Sequence, residues 1–310
     1  MRNLISVIPI FLSALLLISG CRRTTEPTQE KIDNAAIVRK AVASQLNKKP
    51  EDVNEGDYAK VTFLDLSRSL LSDLTPIKAL IGLQSLLLDG TKVSDLTPIK
   101  ELVGLQELDL INTAVSDLTP LKALINLQEL RVSGTPVSDL TPIKELVGLQ
   151  ELYLAGTPVS DLTPLKELKA LQYLSLEGTA VSDLTPIKEL KGLQHLSLYN
   201  TAVSDLTPIK ELVGLQELYI ARTPVSDLTP LKELKGLQHL SLDGTKVSDL
   251  TPLKELNKLQ GLWLTNTQVS DLTPLKSLIN LRELQLSGTK MSDEQVAELK
   301  KALPKLTIIR

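Results

Sequence analysis

The sequence predicts an α/β solenoid, a coil of short equivalent units with a parallel sheet on its concave side, 3₁₀ turns on its convex side and an N-terminal helical cap. Three observations carry this. A 22-residue pattern returns in eleven successive copies from Val61 to Ala302, and Ser-Asp-Leu-Thr-Pro occurs ten times, from Ser72 to Ser270. Hydrophobic residues make up 42% of the 310 positions while aromatics make up 3%, so the core must be aliphatic and built from one geometry repeated. Within each copy a short stretch of alternating apolar residues precedes wider apolar spacing, the pattern of a strand followed by a bend. Length alone would suggest two domains, but the repeats override that reading.

The third copy shows the logic of the unit. Leu108 and Leu110 alternate with Glu107 and Asp109, as expected of a short strand with one buried face. Leu105, Leu108, Leu110, Val115, Leu118, Leu121 and Leu124 define seven apolar columns, each stacking on its equivalent one turn later. A lone copy buries too little to fold, so only the stack is stable. Thr119 is placed to cap a helical turn that Pro120 begins, and Asp117 to accept backbone hydrogen bonds in the tight loop before it. A stacked aspartate column is also what calcium sites use, but no glycine-rich, multidentate loop accompanies this one. Threonines from Thr91 to Thr267, with Thr289, form a hydroxyl column that would satisfy backbone groups inside each turn.

Both ends depart from the pattern, as a solenoid's ends must to cover its core. Residues 31–60 form the N-terminal cap. There Ile32, Ala35, Ala36, Val42 and Leu46 are spaced along one helical face that would lie on the first strand, with Arg39 interrupting the stripe. The repeats span 61–302, the last ending in a helix from Asp293 to Ala302. Residues 303–310 are the C-terminal cap, with a closing strand over Leu303–Ile309.

The start of the chain has a separate role. Met1-Arg2-Asn3 is a basic start, residues 4–18 are an apolar run short for a membrane span, and Ser19-Gly20-Cys21 follows, so residues 1–20 read as a secretion signal. Leu17-Ile18-Ser19-Gly20-Cys21 resembles the lipobox of bacterial lipoproteins, which implies cleavage before Cys21 and acylation of its thiol. The alternative is an ordinary cleaved signal with an incidental cysteine. Several acyl chains, at ~0.8 kcal/mol per buried methylene, would make the membrane anchor effectively permanent. Residues 21–30 then form a lipidated tether of roughly 15–30 Å. The resemblance implies a bacterial cell-envelope location, and Arg22 in place of aspartate implies the outer membrane if the organism is diderm. Cys21 is the single cysteine, so no intramolecular disulfide and no multi-thiolate metal site is available.

The repeat resembles the leucine-rich-repeat family in its 22-residue, internalin-like variety, over about four-fifths of the chain. That resemblance implies a horseshoe with its strands on the concave side and recognition of a protein or peptide there. The family more often carries asparagine at the threonine position. Residues 33–66 resemble the N-terminal cap segment of many bacterial proteins of this type.

Framework columns hardly vary between copies, whereas positions three, five and seven do, and these face the concave side. Tyr153, Tyr173, His195, Tyr199, Tyr219, His239 and Trp263 all fall there and are every Tyr, His and Trp after Val61. Six consecutive copies thus contribute rings over a stripe of about 24 Å. With Arg222 at its edge, the stripe is the candidate site for a protein or peptide partner, since Tyr and Trp bury much area for little entropy. Two alternatives stay open: the rings suit exposed strands and stack on one another, or they bind a glycan or peptidoglycan. A structural spacer is a third possibility. Copies 1 to 4 carry Asp65, Asp89, Glu107, Asp109 and Glu129 with Arg131, an acidic face with a weaker claim on a basic partner.

His195 and His239, two strands apart, read as rim contacts rather than as ligands of a shared metal. No nucleophile, base and orienting acid are grouped, so catalysis, cofactors and metal are not expected. The net charge of -3 provides no basic field for nucleic acid, and the chain is expected to be monomeric. Ten lysines from Lys78 to Lys276 form a convex, solvated column.

Overall fold

The computed structural model describes residues 32–310, so the signal-like start, Cys21 and the tether lie outside the described residues. Eleven three-residue strands, from β1 (Phe63–Asp65) to β11 (Glu283–Gln285), recur every 22 residues, and β12 (Thr307–Ile309) follows them. They form one parallel sheet in strict sequence order, with each residue opposite its equivalent in the next copy, as Leu152 is opposite Leu174. The backbone ladder runs past the strands on both sides. Gln150 N donates to Gln128 O at 2.8 Å, and Gly156 N to Glu177 O at 2.7 Å.

The seven apolar columns close into one core. In the fifth copy Leu149, Leu152, Leu154, Val159, Leu162, Leu165 and Leu168 are all 0–1% exposed. The chain returns through 3₁₀ turns that begin at the threonine of each Ser-Asp-Leu-Thr-Pro segment, some of three residues (Thr141–Ile143) and some of five (Thr207–Glu211). The expected threonine cap is replaced by another arrangement: Thr119 is the first residue of its turn, and its N–H donates to Asp117 Oδ1 at 2.8 Å. Asp117 therefore accepts from the residue two positions after it, not from the loop before it. With proline second, the threonine N–H is the one left to satisfy, and the aspartate two positions earlier reaches it.

These aspartates should make the fold acid-sensitive. The hydroxyl and N–H of Thr163 hold the Asp161 carboxyl below the usual range, and the same cause acts at Asp117, Asp183 and Asp205. A carboxyl whose folded value is depressed contributes stability that is present above its unfolded value and lost as pH falls through the folded one. The melting temperature, followed by circular dichroism, should therefore fall as pH drops below the ordinary carboxylate range. Replacing several of these aspartates with asparagine should flatten that dependence; an unchanged slope would show that the carboxylates do not supply it.

The threonine column behaves as its position suggests. Thr157 Oγ1 donates to Leu154 O at 2.7 Å, and Thr179 to Leu176 O at the same distance. Preceding each threonine, the eighth residue of every copy has φ between +55° and +71°, a conformation that nine copies fill with glycine or asparagine. Arg68 and Arg222 adopt it with a full side chain, at roughly 1–2 kcal/mol of strain.

At the N-terminus, α1 (Asn34–Gln45) starts at Asp33, whose Oδ1 accepts from Ala36 N at 2.9 Å. The helix buries Val38, Val42 and Ala43, with Ile37, Ala41 and Leu46 partly covered, while Ala35 and Ala36 are exposed. The contact face is thus rotated from the expected one: the Val38–Val42 row offers more apolar area than the alanines, and the start at Asp33 allows it to face inward. Behind it, α2 (Glu55–Tyr58) contributes Asp57, 1% exposed, between Lys48 at 2.6 Å and Lys60 at 3.2 Å. Lys48, with the Asn54 N–H, holds its pKa at about 2. At the far end α3 (Asp293–Ala302) opens with a capping box in which Ser292 Oγ accepts from Gln295 N. The closing strand is shorter than expected, because Leu303–Leu306 turns at Pro304, which has no N–H to give a ladder.

Candidate functional site

Six strands supply the concave aromatic run: β5 (Glu151–Tyr153), β6 (Tyr173–Ser175), β7 (His195–Ser197), β8 (Glu217–Tyr219), β9 (His239–Ser241) and β10 (Gly261–Trp263). Strand alternation points positions three and five outward while position four enters the core, so rings from neighbouring copies fall side by side. They touch. Ring centres lie 4.5 Å apart for Tyr153–Tyr173, 4.0 Å for Tyr173–His195 and 5.2 Å for His195–Tyr219. Trp263 closes the run at 6.5 Å from Tyr219 and 6.0 Å from His239. Tyr199 and Arg222 form a separate pair, the guanidinium 5.4 Å from the ring centre.

The histidines are not at a rim. His195 stacks nearly parallel on Tyr173, and its Nδ1 lies 3.0 Å from Glu217 Oε2; His239 Nδ1 is 3.7 Å from the other oxygen. Glu217 occupies the same strand position between them, and both imidazoles turn toward the one carboxylate. Burial lowers the His195 pKa despite that neighbour. At Glu217 burial opposes ionisation, but hydrogen bonds from Tyr219 and His195 outweigh it and hold the carboxyl below its ordinary value. The Tyr219 phenol, half-buried and donating to Glu217 Oε2 at 3.0 Å, is pushed up to about 12. Tyr153 donates to Glu151 Oε2 at 2.6 Å, and burial with that bond raises its pKa as well. Among the described residues no three His, Cys, Asp or Glu side chains converge as metal ligands.

Two kinds of residue escaped the sequence reading. Glutamates run among the rings as well as through the first four copies, and their effect becomes visible only when equivalent positions are aligned across strands. Gly261 is the other: a Cβ there would come within 2.7 Å of Trp263 Cη2 and 2.9 Å of His239 Cδ2, so its bareness seats the indole. A glycine in a column of larger residues is the signal that was available.

The acidic and aromatic halves meet at Arg131. Its guanidinium lies 3.4 Å from Glu107, 3.5 Å from Asp109 and against Glu129, and 5.4 Å from the Tyr153 ring centre. Burial pushes the Asp109 and Glu129 carboxyls up.

A family model described as a leucine-rich repeat region matches residues 155–310. The chain is a leucine-rich-repeat protein. It is similar to the crystal structure of an internalin, InlF, from Listeria monocytogenes, at 28% identity over 88% of each chain with a TM-score of 0.77. This places it with the internalin-like members of the family. A leucine-rich-repeat protein from Leptospira interrogans matches at 23% identity and TM-score 0.58, over 83% of this chain and 81% of that one. The plant peptide hormone receptor RGFR1, solved in complex with RGF2, matches at 24% identity and TM-score 0.67, over 83% of this chain and 45% of the receptor chain. These two show the shared fold alone. Comparison with curated proteins gave no match. Leucine-rich-repeat proteins are as a rule binding scaffolds rather than enzymes, and protein–protein interaction is the activity the fold suggests.

Proposed function

We propose that this leucine-rich-repeat protein is a monomeric envelope lipoprotein whose concave aromatic run binds a protein or peptide partner, without catalysis. One observation carries the reading: rings from consecutive copies are in mutual contact from Tyr153 to Tyr219, with Trp263 and His239 extending the run. A pre-stacked run loses little side-chain freedom on binding, and rings that cluster centrally are the usual anchors of an interface. The same stacking favours a protein over a glycan. A sugar needs a free ring face, whereas Tyr173 and His195 cover each other's faces at 4.0 Å and 11° and leave edges and polar tips outward.

Crosslinking capture from the native envelope tests this. The unaltered protein should retain a protein partner, and a variant with Tyr173→Ala, Tyr199→Ala, Tyr219→Ala and Trp263→Ala should lose it while melting normally; undiminished capture by that variant would refute the proposal. The anchor is supported by Leu17-Ile18-Ser19-Gly20-Cys21. Metabolic acyl labelling that disappears with Cys21→Ser is the expected result, and labelling that persists would exclude it.

A further inference from the structure

We propose that the partner is basic, presenting arginine or lysine side chains to the concave face; this rests on the reading of that face as a recognition surface and specifies the chemistry it recognises. At positions three, five, seven and eight of the eleven copies the chain carries ten carboxylates, three arginines and no lysine. The whole chain, by contrast, holds 37 acids and 34 bases. Composition therefore does not explain the asymmetry. Lysines such as Lys166, Lys188 and Lys210 sit at the 3₁₀ turns on the other side, among acids such as Asp161 and Glu167, so it is the bases that are kept off the concave face.

The carboxylates are held as acceptors by their neighbours. Ser197 Oγ donates to Glu177 at 2.7 Å, Ser241 Oγ to Asp243 at 3.0 Å, and Tyr153 and Tyr219 donate to Glu151 and Glu217. Among the described residues none of Glu151, Glu177, Glu217 and Asp243 is paired with a lysine or arginine. Each stands within the aromatic stretch. The face's own cations show both attractions: the Arg131 guanidinium takes carboxylates on one side and the Tyr153 ring on the other, Arg68 pairs with Asp89 and Arg222 lies over the Tyr199 ring. Rings beside carboxylates at Glu217–Tyr219 and Glu151–Tyr153 present the same pair of attractions, cation–π and ionic, to a cation from outside. A concave wall on which one sign of charge predominates, ten carboxylates to three arginines, also concentrates its field, which speeds the approach of a basic partner and repels a polyanion.

The test uses the full-length protein and three labelled extended peptides of equal length and aromatic content, one rich in arginine and lysine, one neutral and one rich in glutamate, read by fluorescence anisotropy. The basic peptide should bind, and its affinity should fall about tenfold or more between low and high salt. The double variant Glu151→Gln, Glu217→Gln should weaken it by about as much. Glu167→Gln with Glu211→Gln, at the 3₁₀ turns on the other side, should leave it unchanged. Failure of the basic peptide to bind, equal binding of the neutral or acidic peptide, or indifference to salt and to the concave variant would overturn the proposal. The two readings fail separately. If Tyr173→Ala with Trp263→Ala abolishes binding and the glutamine variant does not, the rings recognise without charge and the basic-partner inference falls; the reverse pattern upholds it and removes the rings from the site.

Discussion

Deleting one whole copy, residues 171–192, should leave a folded, cooperative protein, whereas deleting eleven residues from the same place should abolish native structure downstream of the cut. The reason is register. Leu152 stands opposite Leu174 and Leu174 opposite Leu196, so removing a full copy brings Leu152 opposite Leu196 with every column continuous. Removal of half a copy would set strand residues against turn residues and carry the buried columns into solvent. Each copy contacts only its neighbours, so the full deletion costs one unit and one interface. Far-UV circular dichroism and thermal melts distinguish the cases: the full deletion should melt cooperatively at a somewhat lower temperature, and the half deletion should lack a cooperative transition. Similar melts for both would mean that the 22-residue phase does not govern folding.

Leu174→Ala should destabilise the solenoid by about 2–5 kcal/mol, as expected for emptying a fully buried leucine site. Leu174 is 0% exposed and its column neighbours Leu152 and Leu196 are equally buried, so the flanking strands cannot close the gap without leaving their ladder positions. Chemical denaturation should show a lowered midpoint. The matched exposed change, Val147→Ala at 58% exposure, should stay within about 0.5 kcal/mol of the parent. A negligible effect at Leu174 would contradict the single continuous core.

Most of the fold was legible in the sequence because a repeated sequence states its own register. The seven columns, the strand in each copy and the 3₁₀ return follow from apolar spacing that recurs with little variation. Where only one example exists, the reading was weaker. The face of α1 was misjudged because alanine gives little periodic signal and nothing repeats to correct it. Local polar chemistry was also under-read: both threonine and aspartate suit a cap, and only the backbone geometry decides that Asp117 takes the Thr119 N–H. In the candidate site the rings and Arg222 were visible as residues of unusual type at variable positions. The bridging role of Glu217 was not, because it depends on two histidines 22 residues away on either side choosing the same carboxylate.

The central claim is that copies in register turn scattered rings into one surface that meets a partner, and photo-crosslinking from defined positions tests it most directly. A photoreactive residue replacing Tyr173 or Trp263 should crosslink to the captured partner, and one replacing Lys188, on the convex column, should not. Equal yields from both sides, or crosslinks from Lys188 alone, would contradict the account.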